Sequence, residues 1–181
     1  MKKIFYALTA CFFLISTSCN KDDLTAFSFT HDYAEFEIDV TPTSTQGDLS
    51  LGEYSVSTNI TNLLKDNGAS LEHLKSVKVK AINLAIDDTS GIPYTFNLLS
   101  KISAKIGNTN SSTLSDFAKK DPVPATGLTS LDLDMFDTDL LGYFKNANIK
   151  FNLSGFTNAP IDHAFKVKVK LRVQFEGDII K

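Results

Sequence analysis

The stretch that decides the fold is Phe165–Glu176, which reads FKVKVKLRVQFE. Its odd-numbered residues are all large and apolar, whereas its even-numbered residues are lysine, arginine, glutamine or glutamate. An alternation with a period of two, built from β-branched and aromatic residues, predicts a β-strand with one buried face and one solvent-facing face. Strands of this kind belong to antiparallel sheets, so we expect an antiparallel β protein.

The same alternation recurs in shorter stretches along the chain. The other predicted strands are Phe36–Val40, Gly52–Thr58, Val77–Ile86, Tyr94–Ile106, Leu131–Met135 and Ile149–Leu153. Of these, Gly52–Thr58 has the weakest pattern. Within Val77–Ile86 the apolar positions change parity, which predicts a β-bulge near Lys80–Ala81.

Two short helices are predicted between the strands. The first is capped by Thr58 or Asn59 and ends at Asn67–Gly68, and the second is capped by Asp137 or Thr138. Closely spaced strands without a regular strand–helix alternation predict an all-β, antiparallel two-sheet sandwich of immunoglobulin-like or related Greek-key type. The chain lacks the cysteine pair and the tryptophan of immunoglobulin domains, and a fold by itself carries no function.

The N-terminal segment has the layout of a secretory signal. Lys2 and Lys3 precede the apolar run Ile4–Ile15, which is too short to span a membrane, and small residues lead into Cys19. A cysteine at this place resembles the relaxed lipobox of Bacteroidota lipoproteins, although Ser16 stands where the usual box has leucine. The resemblance implies that residues 1–18 are removed and that Cys19 is acylated. The alternative is a plain secretory signal that leaves Cys19 as a free thiol.

The residues after Cys19 add an export signal to this resemblance. Lys21, Asp22 and Asp23 resemble the short run that directs some lipoproteins of that phylum to the cell surface. The resemblance implies an outer-membrane lipoprotein that faces the cell exterior and is attached to the membrane through lipid on Cys19. We expect residues 19–26 to form a flexible tether and residues 27–181 to form a single domain.

Charge and cysteine content exclude several classes of protein. The formal net charge of the chain is −3, and it becomes more negative when the signal is removed with its two lysines. An acidic chain is a poor candidate for binding nucleic acid or anionic lipid. Cys11 lies within the signal, so the mature chain has no second cysteine for an intrachain disulfide.

The outward face of the Phe165–Glu176 strand carries a basic strip. Its members are Lys166, Lys168, Lys170 and Arg172. One interpretation is a surface that binds an anionic glycan or a lipid head group. The interpretation that we favour is cross-strand pairing with the outward acidic residues of other strands, such as Glu35, Glu37 and Asp39.

An acidic run is the best local candidate for a metal site. It consists of Asp132, Asp134, Asp137 and Asp139, and calcium prefers several oxygen ligands from a flexible loop. The competing interpretation assigns the first two residues to outward strand positions and the last two to the start of a helix. No metal or other cofactor is predicted.

No catalytic motif is present in the sequence. The chain has no glycine-rich phosphate loop, no HExxH motif and no nucleophile elbow. The histidines His31, His73 and His163 are too far apart in sequence to suggest a metal site, and we assign them surface or capping roles. We therefore expect a protein that is not an enzyme.

The aromatic residues suggest mainly a packed core. The chain has no tryptophan, and Tyr94, beside Pro93 in a predicted loop, is the tyrosine placed most like a sugar-binding platform. The leading hypothesis is a lipid-anchored surface sandwich that binds or scaffolds an extracellular protein or glycan partner. The alternative is a carrier for an apolar ligand or a glycan. A large internal cavity would favour the carrier.

Overall fold

The structure is a computed structural model that describes residues 24–91, 93–109 and 113–180. The predicted signal peptide, Cys19 and the export run Lys21, Asp22 and Asp23 lie outside the described residues. Within the described residues no helix is both long and apolar enough to cross a membrane.

The described chain consists of strands and two short helices. The strands are β1 (Leu24–Asp32), β2 (Phe36–Val40), β3 (Gly47–Ser57), β4 (Leu74–Asp87), β5 (Leu99–Asn108), β6 (Ser115–Lys120), β7 (Ser130–Asp132), β8 (Asp134–Met135), β9 (Asn148–Thr157) and β10 (Phe165–Ile180). The helices are α1 (Ile60–Asp66) and α2 (Leu141–Phe144), and short 3₁₀ turns lie at Leu71–His73 and Phe96–Leu98.

The strands form two antiparallel sheets. The first sheet has the order β1-β10-β4-β7, and β2 also pairs with β10, beyond the end of β1. The second sheet has the order β3-β9-β5-β6-β8. The predicted all-β two-sheet sandwich with two short helices is therefore confirmed.

Strand β10 lies in the middle of the first sheet, as its alternation predicts. Its odd-numbered residues from Phe165 to Phe175 are buried, with exposures of 6% or less. The bulge predicted in β4 is confirmed at Lys80, since Arg172 pairs with Ala81 while Val173 pairs with Val79. Lys80 is the extra residue that changes the parity of the strand.

The predicted strand Leu131–Met135 is wrong, because the segment crosses from one sheet to the other. Its first part, β7, pairs with β4 in the first sheet, whereas β8 pairs with β6 in the second. The alternation survives because Leu131 and Leu133 both point into the core between the sheets. A crossing of this kind has the same sequence pattern as a single strand.

Several predicted boundaries also differ from the structure. Strand β1 begins at Leu24, so residues 24–26 belong to the sheet and not to the predicted tether. Strand β3 is longer than the predicted Gly52–Thr58, and β5 begins at Leu99 because a 3₁₀ turn precedes it. The sequence of β6, SDFAKK, has adjacent buried residues and no alternation, so no local pattern predicts this strand.

Helix α1 begins and ends where the sequence predicts, but α2 does not. Asn59 precedes α1 and Asn67 follows it, although no side chain caps the start of α1. Helix α2 begins at Leu141, later than capping by Asp137 or Thr138 would place it. The Asp139 carboxylate accepts hydrogen bonds from the backbone N–H groups of Val77 and Leu141, which fixes this segment to β4.

The strands run between two chemically different ends of the sandwich. One end, which we call the helix end, contains α1, α2, Leu24 and Ile180. The opposite end, which we call the loop end, is formed by the connections 41–46, 88–98 (described except for residue 92), 121–129 and 158–164. All five prolines of the chain lie in the loop-end connections: Pro42, Pro93, Pro122, Pro124 and Pro160.

The space between the sheets is closely packed in the described part of the chain. A void lined by Phe36, Phe117, Phe151 and Leu171 has a volume of only about 10 Å³. This is about the smallest space that holds one water molecule. The core therefore offers no chamber here for an apolar ligand.

Candidate functional site

Each cation of the predicted basic strip is paired with a carboxylate. The pairs are Lys166–Glu37 at 2.6 Å, Lys168–Asp87 at 2.7 Å, Lys170–Glu35 at 3.4 Å and Arg172–Asp32 at 2.6 Å. All four carboxylates lie on, or directly beside, strands next to β10. This is the arrangement expected from cross-strand pairing, and it leaves no row of unpaired cations for an anionic ligand.

The four carboxylates of the acidic run, the weak candidate for calcium, do not converge. Asp132 accepts a hydrogen bond from Asn83, Asp134 pairs with Lys120, Asp137 pairs with Lys78 and Asp139 binds backbone N–H groups. The crossing between the sheets puts the first two residues on different sheets. Among the described residues, no group of three or more His, Cys, Asp or Glu side chains could hold a metal ion.

Tyr94 is fixed in a side-chain cluster at the loop end and is not the free platform predicted from the sequence. Its ring stacks on that of His163 with a centroid distance of 4.3 Å, and the Phe165 ring lies 5.2 Å away. Its hydroxyl accepts a hydrogen bond of 2.6 Å from the backbone N–H of Asp162. The tyrosine thus joins two loop-end connections.

Asp88 holds this cluster together. Its side chain is 1% exposed and lies 2.9 Å from His163 Nε2. It also accepts hydrogen bonds from the backbone N–H groups of Ser90, at 2.9 Å, and Tyr94, at 2.8 Å. Burial alone would raise the pKa of this carboxyl, but the bonds from Tyr94, Ser90 and His163 hold the pKa well below its usual range.

The sequence predicts only part of this arrangement. Asp87–Gly91 has the composition of an ordinary turn, and the bond from Ser90 N to Asp88 makes such a turn. The partner His163 lies 75 positions away in the chain, and no local pattern indicates it. The other histidines lie elsewhere, His31 against the Tyr33 ring and His73 against Ser70 at the helix end.

Hydrogen bonds link the four loop-end connections to one another. Thr43 and Ile161 exchange two backbone hydrogen bonds of 3.0 and 2.8 Å, and Gln46 Nε2 donates to the Asn158 carbonyl. The connection 121–129 is fixed to 88–98, because the backbone N–H of Phe96 donates to the Leu128 carbonyl at 2.8 Å. With the Asp88–His163 contact, these bonds join all four connections into one surface.

The loop end also differs in composition from the rest of the chain. Its four connections contain no lysine, arginine or glutamate, and their charged residues other than histidine are Asp88, Asp121 and Asp162. Threonine, proline and asparagine provide much of its exposed surface. Loops held at one end of a rigid scaffold are common binding surfaces. Asp88 is engaged with His163 and with two backbone N–H groups, so its carboxylate fixes the relative positions of these connections.

We expect Asp88→Asn to destabilise the loop end in a pH-dependent way. Because the folded-state pKa of Asp88 is lowered, the ionised group stabilises the fold above about pH 4, and this contribution disappears as pH falls through the folded-state pKa. The amide cannot titrate, so the difference in unfolding free energy between wild type and variant should be largest at pH 7 and should shrink below about pH 4. Urea melts of both proteins across this pH range measure the difference in unfolding free energy. A difference that does not change with pH would contradict the conclusion that ionised Asp88 stabilises the loop end.

Comparisons with known proteins give no family. The chain matches no protein-family model and no curated protein. Three solved structures with some similarity are viral. One, from desmodium yellow mottle tymovirus, is 11% identical with a TM-score of 0.27 and covers 92% of this chain and 97% of its own.

Two capsid structures are similarly distant. The decameric BFDV capsid protein is 10% identical with a TM-score of 0.35, over 83% of this chain and 99% of its own. The acid-stable capsid of Helicobacter pylori bacteriophage KHP30 is 14% identical with a TM-score of 0.29, over 84% of this chain and 94% of its own. Similarities as low as these three carry no argument about function.

Proposed function

We propose that the protein is a non-enzymatic, lipid-anchored cell-surface module whose loop end binds an extracellular protein. The observation that carries this proposal is the joining of four connections into one hydrogen-bonded surface at the end of the sandwich opposite Leu24. A surface that is already ordered before binding loses little conformational entropy on association. The prolines restrict the same connections further.

The chemistry of the loop end supports a protein partner with a neutral or basic surface. No lysine or arginine is available there to pair with an anionic partner. The hydroxyl, amide and carboxylate groups of the connections can accept and donate hydrogen bonds, and Leu128, 37% exposed, adds an apolar contact. Interfaces typically combine apolar contacts with a polar rim of this kind.

The proposed anchor directs the loop end away from the membrane. Cys19 lies five residues before Leu24, and five residues span at most about 18 Å. Strand β10 runs from the helix end to the loop end over 16 residues, which corresponds to about 50 Å. An upright domain would therefore present its loop end to the surroundings of the cell.

The alternative of a carrier for an apolar ligand has less support. A carrier needs a chamber between the sheets, whereas the void there measures about 10 Å³. We therefore do not propose this function.

Cys19→Ser should release the protein from membranes, because the thiol is the proposed site of acylation. Membrane and soluble fractions of cells that express the full chain would be compared by immunoblot. Cys11→Ser is the matched control: Cys11 lies in the predicted signal, so its loss should leave the mature protein in the membrane fraction. A Cys19→Ser protein that remains with the membranes would rule out the lipid anchor.

The export run is tested in the same cells. Replacement of Lys21, Asp22 and Asp23 with alanine should leave the protein lipidated but protected from protease added outside the cell. If the variant and the wild type are digested equally, the run does not direct surface exposure.

A further inference from the structure

We propose that the outer face of the second sheet binds an uncharged oligosaccharide in a groove that crosses strands β3, β9 and β5. The groove has a volume of about 540 Å³ and is open to solvent. This volume lies within the range of small-molecule sites. The site is separate from the loop end, and the proposal does not depend on the proposed protein partner.

The floor of the groove is a row of three hydroxyl groups in register. Ser50 of β3 pairs with Ser154 of β9, and Ser154 pairs with Ser103 of β5 on its other side. All three residues line the groove, on the face opposite the buried residues of these strands. Because neighbouring strands are about 4.8 Å apart, the row extends over about 10 Å.

These three hydroxyl groups have no hydrogen-bond partner among the described residues, although many other hydroxyl groups of the described chain do. The hydroxyl of Thr58, for example, donates to the Asn146 carbonyl at 2.7 Å, and that of Ser115 lies 2.6 Å from the Tyr143 hydroxyl. A row of free donors and acceptors at strand spacing can bind successive hydroxyl groups of a sugar chain.

Longer side chains form the two walls of the groove. On one side, Lys101 of β5 is opposite Phe156 of β9, with its ammonium 5.3 Å from the centre of the ring. On the other side, Asn152 of β9 is opposite Lys105, which pairs with Asp116 of β6 at 3.5 Å. The walls thus supply an amide, two ammonium groups and a carboxylate, all able to bond sugar hydroxyl groups.

The charges of the groove favour an uncharged ligand over an anionic one. Lys101 and Lys105 are balanced by Asp116 and by Asp48, which also lines the groove. An anionic polysaccharide would be attracted by the two lysines. Two carboxylates in the same groove would repel it and offset that attraction. An apolar ligand would leave the serine, asparagine and lysine groups without partners. The hydroxyl groups of a neutral sugar can form hydrogen bonds with these side chains, and the sugar carries no charge that the carboxylates would repel.

The test uses the mature chain from residue 19 with Cys19→Ser in native gels that contain a neutral polysaccharide. Dextran, galactomannan, xyloglucan and mixed-linkage β-glucan are the probes, and heparin and polygalacturonate are the anionic comparison. We expect slower migration with at least one neutral polysaccharide and unchanged migration with the two anionic ones. Unchanged migration with all four neutral probes, or slower migration with the anionic probes alone, would overturn the proposal.

Variants test whether the polysaccharide binds in the groove. Ser154→Leu fills the centre of the floor and should abolish the effect, whereas Ser55→Leu, an exposed serine of β3 that does not line the groove, is the matched control and should retain it. The triple change of Ser50, Ser103 and Ser154 to alanine keeps the shape but removes the hydroxyl groups, and should weaken affinity on the order of tenfold or more. Urea melts confirm that each variant is folded. Retained binding by a folded Ser154→Leu protein would exclude the groove.

Discussion

Replacing Val169 with lysine is expected to unfold the domain or to leave it barely folded. Val169 is 2% exposed and lies in the middle of β10, between Phe36 of β2 and Leu84 of β4. A lysine at this position would bury an unpaired ammonium group among apolar side chains, which costs several kcal/mol. The total stability of a domain is typically only about 5–15 kcal/mol.

The neighbouring residue is the matched control for this change. Lys168 points to the opposite face of β10 and pairs with Asp87 at 2.7 Å near the surface. Lys168→Thr should cost little, because partly exposed ion pairs contribute little to stability and threonine suits a strand. Urea melts of both variants measure the two losses of unfolding free energy, and the loss for Val169→Lys should be much the larger. Equal losses, or a larger loss at Lys168, would mean that the buried face of β10 is assigned wrongly.

Replacing Gly177 with alanine should destabilise the domain by about 3 kcal/mol or more, because the site has no room for a side chain. A Cβ atom at this position would overlap the His73 carbonyl oxygen and would lie 2.7 Å from the Phe27 ring. The backbone of His73 cannot move away easily, since the next residue, Leu74, pairs with Gly177 in the sheet. Thermal or urea melts measure the loss.

Gly142→Ala is the control for this prediction. A Cβ atom at Gly142, in α2, would meet nothing within 4 Å. Alanine favours the helix over glycine by about 0.5–1 kcal/mol, so the variant should be as stable as the wild type or slightly more stable. If Gly177→Ala behaves like Gly142→Ala, the helix end is not packed as described.

The sequence predicts those parts of the fold that depend on residues near one another in the chain. The alternation in Phe165–Phe175 predicts the buried face of β10, and the parity change in β4 predicts the bulge at Lys80. Both follow from the two-residue repeat of a strand, in which one extra residue reverses the faces. The end of α1 near Gly68 is predicted for a similar local reason.

Features that depend on distant contacts could not be predicted in the same way. Leu131 and Leu133 alternate as they would in a single strand. Only the pairing partners show that the chain leaves the first sheet after Leu133, whose backbone N–H still bonds Ile82 of β4, and joins the second sheet at Asp134. For the basic strip of β10 the sequence favours cross-strand pairing but leaves a binding surface open, and the carboxylate partners on other strands decide between the two interpretations. The same crossing separates the carboxylates of the acidic run, because it places Asp132 in the first sheet and Asp134 in the second.

The candidate binding surfaces depend even more on the assembled fold. The loop end is formed where four connections meet, and the contact between Asp88 and His163 joins segments 75 positions apart. The groove requires that Ser50, Ser103 and Ser154 come into register on three strands. Isolated serines on strands are common, so no sequence pattern marks them as a set.

The most direct test of the proposed function is photo-crosslinking on intact cells that carry the full, anchored chain. A photoreactive amino acid would replace Thr45 or Thr126 at the loop end, and Lys65 or Lys145 at the helix end, all of which are exposed. We predict that both loop-end positions give a discrete adduct with another protein and that both helix-end positions give none. Adducts from the helix end alone, equal adducts from all four positions, or no adduct from the loop end would contradict the proposal that the loop end binds a protein partner.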